Sequence, residues 1–97
     1  MPELAYVNGC YMPLGQATVS VEDRGFQFAD GVYEVIATYG GKPYAVREHM
    51  QRLENSLEAL QISYCPTRDR LVEKMAYGID ACGFSEVLVY IQVTRGA

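Results

Sequence analysis

Several residue types are missing or scarce in this 97-residue sequence. It contains no tryptophan, one histidine, and only two lysines, Lys42 and Lys74. The formal net charge is -4 and no basic tract is present, which argues against a nucleic-acid partner. No apolar run is long enough to cross a membrane, and the N-terminus MPELAYVNG lacks the basic and apolar regions of a signal peptide. We therefore expect a cytoplasmic protein.

Cysteine is also scarce. Cys10, Cys65 and Cys82 are odd in number and show no Cys-x-x-Cys spacing. This pattern argues against a disulfide framework or a zinc site and favours three reduced thiols. We expect no metal site.

What the chain does have is enough apolar character for one core. Hydrophobic residues make up 49% of the sequence, and the length allows a single small domain. A chain of this size buries only a modest share of its surface. We therefore expect apolar area to remain for a partner domain or subunit.

The first half of the sequence predicts two β-hairpins. Residues 4–7 and 10–13 flank Asn8–Gly9, a strong signal for a two-residue hairpin turn. Residues 17–21 fit a short strand or extended piece, and residues 23–31 an irregular segment. A strand over 32–39 is followed by a Gly-Gly turn and a returning strand over 42–46. In the first of these strands, alternation places Tyr33, Val35, Ala37 and Tyr39 on one face and Glu34, Ile36 and Thr38 on the other.

The second half predicts two helices and a strand. The helix over 48–60 has a core stripe of Met50, Leu53, Leu57 and Leu60. A second helix opens at Pro66 and Thr67, with Thr67 as N-cap, and runs to about Cys82 before Gly83. Its buried stripe is Leu71, Val72, Met75, Ala76 and Ile79. The strand over 86–93 is nearly all apolar, which is typical of a central strand covered on both faces.

These elements predict an α+β fold: a small antiparallel sheet with two helices. Repeats, low-complexity tracts and linkers are absent from the sequence. Because a Thr-Arg-Gly turn after a strand normally feeds another element, we expect the chain to be cut from a longer protein.

Three segments carry a dense mixture of charged, aromatic and glycine residues: EDRGFQFADGVYEV at 22–35, REHMQRL at 47–53, and QVTRG at 92–96. In this order they resemble the N-terminal domain of fold-type IV aminotransferases, which depend on pyridoxal 5'-phosphate (PLP). The resemblance covers nearly the whole chain and is closest to D-amino-acid aminotransferases. Branched-chain aminotransferases and aminodeoxychorismate lyase are sibling groups, and REHMQRL also looks like the branched-chain enzymes.

Arg52 is the residue that we expect to bind the cofactor. Helical spacing sets His49, Arg52 and Ser56 on one flank of the core stripe, where a guanidinium could hold an anion. On spacing alone a solvated helix edge is the commoner interpretation. The resemblance reverses it, since the arginine of the family's EH-x-x-R pattern contacts the cofactor phosphate and aligns with Arg52. It assigns no clear role to His49.

Tyr33 is the residue that we expect to bind substrate. By residue type alone it would be a strand aromatic in the core, but in the resembled family the tyrosine of DGVYEV faces the cofactor and helps to bind the substrate carboxylate. Asp23, Arg24 and Asp30 fit a local ion-pair network that shapes the loop. Glu34 is unusual in a strand, and we expect at most a buried partner for it.

The resemblance implies a transaminase that moves an amino group between a D-amino acid, typically D-alanine, and a 2-oxo acid such as 2-oxoglutarate. It also implies a homodimer. The Schiff-base lysine and the acid that pairs with the pyridine nitrogen would lie downstream, in a C-terminal domain absent from residues 1–97, because Lys42 and Lys74 match neither position nor context and look solvated. The 97 residues alone are then a catalytically inert fragment or binding domain.

Overall fold

In the computed structural model, which describes residues 3–97, two antiparallel sheets and three α-helices form the chain. The elements in order are β1 (Leu4–Val7), β2 (Cys10–Pro13), α1 (Arg24–Phe28), β3 (Gly31–Tyr39), β4 (Lys42–Pro43), α2 (Val46–Ala59), α3 (Leu71–Cys82) and β5 (Leu88–Thr94), with a 3-10 turn at Leu14–Gln16. The predicted α+β class is confirmed. No helix within residues 3–97 has the length and apolar character needed to cross a bilayer.

The first hairpin forms as predicted. β1 and β2 pair in antiparallel register from Leu4 opposite Pro13 to Val7 opposite Cys10. Asn8 and Gly9 both have positive φ, which is the backbone geometry that a two-residue hairpin turn requires. The hairpin is attached to α3 by Tyr11, whose hydroxyl donates to the backbone carbonyl of Lys74.

The second sheet has the strand order β4-β3-β5, and β3 at its centre pairs antiparallel with both neighbours. The predicted faces of β3 are confirmed. Its buried side chains are Glu34, Ile36 and Thr38, whereas Tyr33, Val35 and Tyr39 are exposed on the opposite face.

Helices α2 and α3 cover one face of the second sheet. Ile36 packs there with Met75 and Ile79 of α3, and the adjoining part of the core contains Leu53 and Leu57 of α2. Both helices place apolar residues three and four apart, so that one stripe of each is buried. The opposite face of the sheet has no covering element among residues 3–97.

The start of α2 corrects the predicted second hairpin. Only Lys42–Pro43 pairs with β3, because Ala45 adopts a left-handed conformation with φ of 57° that turns the chain out of the sheet. The helix then begins at Val46, two residues before the predicted start. It ends at Ala59, so Leu60 lies beyond it and is 38% exposed rather than part of the core stripe.

The start of α3 lies later than predicted. Residues 66–70 form turns, and Arg70 at positive φ separates them from a helix that begins at Leu71. Thr67 is therefore not its N-cap; its hydroxyl donates to the carboxylate of Glu54 instead. Within the predicted stripe, Val72 and Ala76 are exposed, because the narrower stripe of Leu71, Met75 and Ile79 meets the core. Gly83 ends the helix as predicted.

Two further predictions need correction. β5 is an edge strand in the described part of the chain, since it pairs only with β3, and its side chains alternate between the core face and solvent, with Leu88 and Tyr90 exposed. The segment 23–31 is not irregular throughout, because it contains α1. No strand forms over residues 17–21, which leaves the extended alternative.

Candidate functional site

A buried carboxylate lies at the point where β3 meets α2. Glu34 is 5% exposed, and its oxygens accept hydrogen bonds from Arg52 Nε at 2.8 Å and Arg52 Nη2 at 2.9 Å. His49 Nδ1 lies 2.7 Å from Glu34 Oε1. His49 and Arg52 are one helical turn apart, so both reach the same strand residue. The structure therefore gives the buried carboxylate of Glu34 hydrogen-bond donors on both oxygens, which a charged residue inside a strand requires.

Only one edge of the Arg52 guanidinium is used in this cluster. The Nε and Nη2 nitrogens face Glu34, while the side chain as a whole is 67% exposed. No partner for Nη1 is present among residues 3–97. A guanidinium can bind two planar or tetrahedral anions through different edges, so Arg52 can still accept an anion from solvent.

The charges of this cluster reinforce each other. The hydrogen bonds from Arg52, aided by His49, hold the pKa of the Glu34 carboxyl below its usual value despite its burial. Glu34 in turn raises the pKa of Arg52. The carboxylate thus remains ionised and keeps the arginine in place at neutral pH.

Tyr33 projects from the face of β3 opposite to Glu34, because successive strand residues alternate. Its ring stacks on that of Tyr90 in β5, with centroids 5.8 Å apart and planes 13° apart, and the residue is 63% exposed. In the part of the chain that the structure describes, no hydrogen bond joins Tyr33 to Arg52. Arg52 of α2 bonds to Glu34 on one face of β3, whereas Tyr33 projects from the other face. The two predicted site residues therefore lie on opposite sides of this strand.

The loop before β3 is attached to the end of β5. Asp23 caps α1 by accepting from Gly25 N at 2.8 Å, and it accepts from the Thr94 hydroxyl at 3.0 Å. This attachment brings Gly25 against Thr94, where a Cβ atom would overlap the threonine methyl and lie 2.8 Å from Thr94 Cβ. Position 25 therefore requires glycine, because Thr94 lies too close for a side chain there.

Asp30 and Arg95 form a second connection between the same segments. Arg95 Nε donates to Asp30 at 2.7 Å, and its Nη2 donates to the carbonyl of Leu60 at 2.6 Å, just past the end of α2. The bonds from Arg95 lower the pKa of Asp30. Arg24 also approaches Asp30, at 3.6 Å. The predicted network thus contains Arg24 and Asp30, but Arg95 takes the place that the sequence suggested for Asp23.

The two lysines occupy different environments. Lys42 lies exposed in β4. Lys74 forms an ion pair with Asp69 at 2.8 Å and lies over the Tyr6 ring, so the expectation that it is merely solvated is wrong. The Asp69 carboxylate and the Tyr6 hydroxyl raise the pKa of Lys74. A protonated, ion-paired amine is a poor nucleophile, and Lys74 is thus unsuited to covalent catalysis.

The role of Glu34 was not predicted from the sequence. One signal in the sequence indicates this role. Glu34 shares a face of β3 with Ile36 and Thr38, and a charged residue on a buried face requires a hydrogen-bonding partner. His49 and Arg52 lie one helical turn apart at the edge of the core stripe of α2. This spacing places both donors where they can reach the same carboxylate.

The family model described as Amino-transferase class IV matches residues 31–97, which contain β3, α2 and β5. The chain belongs to the class IV aminotransferase family. This match confirms the resemblance to fold-type IV aminotransferases seen in the sequence, and the class IV family is PLP-dependent.

Curated relatives of this class IV chain are also similar over most of its length. It is 35% identical over 91 residues to a D-alanine aminotransferase of Staphylococcus haemolyticus, covering 94% of this chain and 32% of that protein. It is 38% identical over 90 residues to a D-alanine aminotransferase of Listeria monocytogenes, covering 93% and 31%. The chain therefore spans about a third of the length of these relatives.

Solved structures share the fold. A fold IV-transaminase from Curtobacterium pusillum matches with a TM-score of 0.81 at 26% identity, over 90% of this chain and 31% of that one. A 4-amino-4-deoxychorismate lyase from Pseudomonas aeruginosa matches with a TM-score of 0.72 at 31% identity, over 82% and 28%. A PLP-bound hypothetical aminotransferase from Mycobacterium tuberculosis matches with a TM-score of 0.77 at 22% identity, over 92% and 32%.

The donors present in this chain fit one part of PLP. The free edge of Arg52 offers charge-assisted hydrogen bonds of the kind that phosphate oxygens accept. Ser56, one turn further along α2, is partly exposed on the same flank. These residues fit the phosphate of the cofactor and provide nothing for its aldehyde.

Proposed function

We propose that this chain is the N-terminal domain of a PLP-dependent transaminase that moves an amino group between a D-amino acid, such as D-alanine, and a 2-oxo acid, such as 2-oxoglutarate. The similarity to D-alanine aminotransferases over more than nine-tenths of the chain is the observation that carries the proposal. The DRGFQFADGVYEV string favours the same branch of the family.

In this proposal Arg52 binds the phosphate of PLP. Its Nη1 edge is directed away from the bonds to Glu34 and its side chain is largely exposed, which leaves it accessible to an anion. A planar guanidinium binds phosphate through two parallel hydrogen bonds, so it fixes orientation as well as providing charge. Arg52 would anchor the cofactor at the flank of α2.

Tyr33 is proposed to bind the substrate carboxylate. Its ring is held by the stack with Tyr90 on the uncovered face of the second sheet, and an exposed phenol hydroxyl is a hydrogen-bond donor to a carboxylate. Because the ring is restrained, the hydroxyl would be pre-positioned before substrate arrives.

PLP, when bound, supplies the electron sink that allows an amino group to be removed from one acid and given to another. The lysine that carries the cofactor and moves the α-proton is proposed to lie in a C-terminal domain outside residues 1–97, since Lys42 and Lys74 fit neither task. The uncovered apolar sheet face supports a site completed by that domain and by a second subunit.

Two related activities are the alternatives. A branched-chain L-amino-acid aminotransferase is favoured by the REHMQRL segment alone. An aminodeoxychorismate lyase is favoured by the structural likeness at 31% identity to the Pseudomonas aeruginosa enzyme. A lyase would release pyruvate from its substrate without needing a 2-oxo acid as amino acceptor.

The test is a substrate panel on the protein at its native length, supplied with PLP. We expect pyruvate to form from D-alanine only when 2-oxoglutarate is present. Turnover of L-leucine without turnover of D-alanine would establish the branched-chain alternative. Release of pyruvate from aminodeoxychorismate without a 2-oxo acid would establish the lyase.

A further inference from the structure

The cluster of Glu34, His49 and Arg52 contains more than an anion receptor. A buried strand carboxylate accepts bonds from two helix residues, and the two donors lie close together, with Arg52 Nη2 3.5 Å from His49 Nδ1. Neither Glu34 nor His49 is among the residues that fit the phosphate in the proposed function, which are Arg52 and Ser56. The side chains of Glu34 and His49 need a separate explanation.

We propose that Glu34 and His49 are positioning residues, which hold the Arg52 guanidinium in one orientation with its outer edge free for the PLP phosphate. This inference rests on the proposed function, because it concerns the same anion. Neither residue is proposed to touch the cofactor.

The geometry supports positioning because Arg52 is exposed along most of its length. A long side chain with 67% exposure samples many rotamers unless its end is fixed. Two hydrogen bonds of 2.8 and 2.9 Å to one buried carboxylate fix the plane of the guanidinium as well as its location. The Nη1 atom is then held in one direction before any anion binds.

His49 fixes the carboxylate in turn. Its Nδ1 atom lies 2.7 Å from Glu34 Oε1, the oxygen that also accepts from Arg52 Nη2. With partners on both oxygens, the carboxylate of Glu34 cannot rotate without breaking a bond. Orienting partners of this kind commonly affect ligand affinity through the residue that they hold.

Glu34 has two opposite effects on an anion bound by Arg52. Its negative charge repels the anion, whereas its hydrogen bonds orient the receptor. If Glu34 only neutralises Arg52, then Glu34→Gln will tighten PLP binding. If Glu34 positions Arg52, then the same substitution will weaken it. The direction of the change therefore separates the two roles.

The experiment measures the dissociation constants of PLP and of pyridoxal, which lacks the phosphate, for the cofactor-free protein at its native length. Glu34→Gln and Glu34→Asp are compared with wild type. The matched control is Glu73→Gln, because Glu73 forms a similar two-bond pair with Arg70 on the exposed surface of α3. Arg52→Ala reports on the receptor itself.

We expect Glu34→Gln to weaken PLP binding about tenfold or more, with pyridoxal binding unchanged. Glu34→Asp keeps the charge but shortens the side chain, and we expect it to weaken PLP binding as well. Glu73→Gln should affect neither ligand. Unchanged or tighter PLP binding in both Glu34 variants would overturn the positioning role. If Arg52→Ala also left the preference for PLP over pyridoxal unchanged, the phosphate site in the proposed function would fail too.

Hydrogen exchange in the wild-type protein tests the positioning role without relying on variants that fold correctly. In the cofactor-free protein, the Nε–H of Arg52 should exchange with solvent more slowly than that of Arg68, an exposed arginine without a side-chain partner among residues 3–97. Equal exchange rates for the two arginines would contradict the positioning role, whatever the variants do.

Discussion

Tyr33 and Tyr90 stack with their ring planes 13° apart on the uncovered face of the second sheet. The pair joins neighbouring strands, since Tyr33 belongs to β3 and Tyr90 to β5. Both rings are exposed, yet only Tyr33 is proposed to act on substrate. The Tyr90 hydroxyl instead donates to the side chain of Gln92 at 2.9 Å.

This pair provides a matched test of the substrate site. Tyr33→Phe keeps the stack and removes one hydroxyl, so we expect kcat/KM for D-alanine to fall about tenfold or more, chiefly through KM, while PLP affinity is unchanged. Steady-state kinetics on the native-length protein measure this. Tyr90→Phe is the control and should stay near wild type. Equal effects of the two substitutions would remove the assigned role of Tyr33.

Acid should selectively reduce the stabilising effect of Glu34. Because Arg52 and His49 lower its pKa in the folded state, the unfolded chain takes up this proton at higher pH than the native chain does. The stability gained from Glu34 is therefore complete above the ordinary carboxyl pKa of 4.5 and is lost as pH falls through the lowered folded value.

We expect the difference in unfolding free energy between wild type and Glu34→Gln to be largest near neutral pH. The difference should shrink as the pH falls below the ordinary carboxyl pKa of 4.5. Urea unfolding of both proteins from neutral pH to about pH 3 measures the difference. Asp30 and Asp69 also have lowered pKa values, but they are present in both proteins and cancel. A difference that does not change with pH would show that the Glu34 carboxylate is not stabilised in the folded state.

The close approach of Gly25 to Thr94 predicts a coupled pair of substitutions. Gly25→Ala should destabilise the protein by about 1–3 kcal/mol, because the added methyl overlaps the threonine side chain. Thr94→Ser removes the threonine methyl and keeps a hydroxyl for Asp23, so it should relieve part of the strain.

A double-mutant cycle measured by urea unfolding tests this coupling. The control is Gly15→Ala, since a Cβ at Gly15 meets no atom within 4 Å and its effect should be within about 0.5 kcal/mol. Strictly additive effects of the Gly25 and Thr94 substitutions would mean that the two residues are not in contact.

Arg95 should stabilise the junction between α2 and β5. Arg95→Ala removes the bonds to Asp30 and to the carbonyl of Leu60, and we expect a lower free energy of unfolding together with a rise in the pKa of Asp30. Unfolding experiments and an NMR titration of the Asp30 carboxyl measure the two effects. Arg68→Ala should produce neither. An unchanged Asp30 pKa in Arg95→Ala would contradict the ion pair.

The sequence was sufficient to predict what depends on local pattern. Alternation in β3 predicted its buried and exposed faces, and Asn8–Gly9 predicted the first hairpin. The boundaries that failed depend on backbone conformations without a sequence signal. Ala45 and Arg70 adopt positive φ, a conformation that alanine and arginine do not favour and that the sequence therefore does not predict. These conformations determine where α2 and α3 begin.

The candidate site divides in the same way. Arg52 and Tyr33 are candidates because motifs of this sequence align with the resembled family, and their roles stay predictions. The partners of Glu34 and the bonds of Arg95 follow from tertiary packing, because they join residues 15 to 65 positions apart. The edge position of β5 was also missed, since its apolar run predicts burial on both faces and only one is covered among residues 3–97.

The chirality of the glutamate product distinguishes a D-amino-acid transaminase from a branched-chain L-amino-acid transaminase. The native-length protein with PLP is supplied with 2-oxoglutarate as acceptor and with D-alanine or L-leucine as donor, and the glutamate formed is separated by chiral chromatography. The proposed D-amino-acid transaminase activity predicts D-glutamate, formed with D-alanine. Formation of L-glutamate from L-leucine, with none from D-alanine, would contradict it.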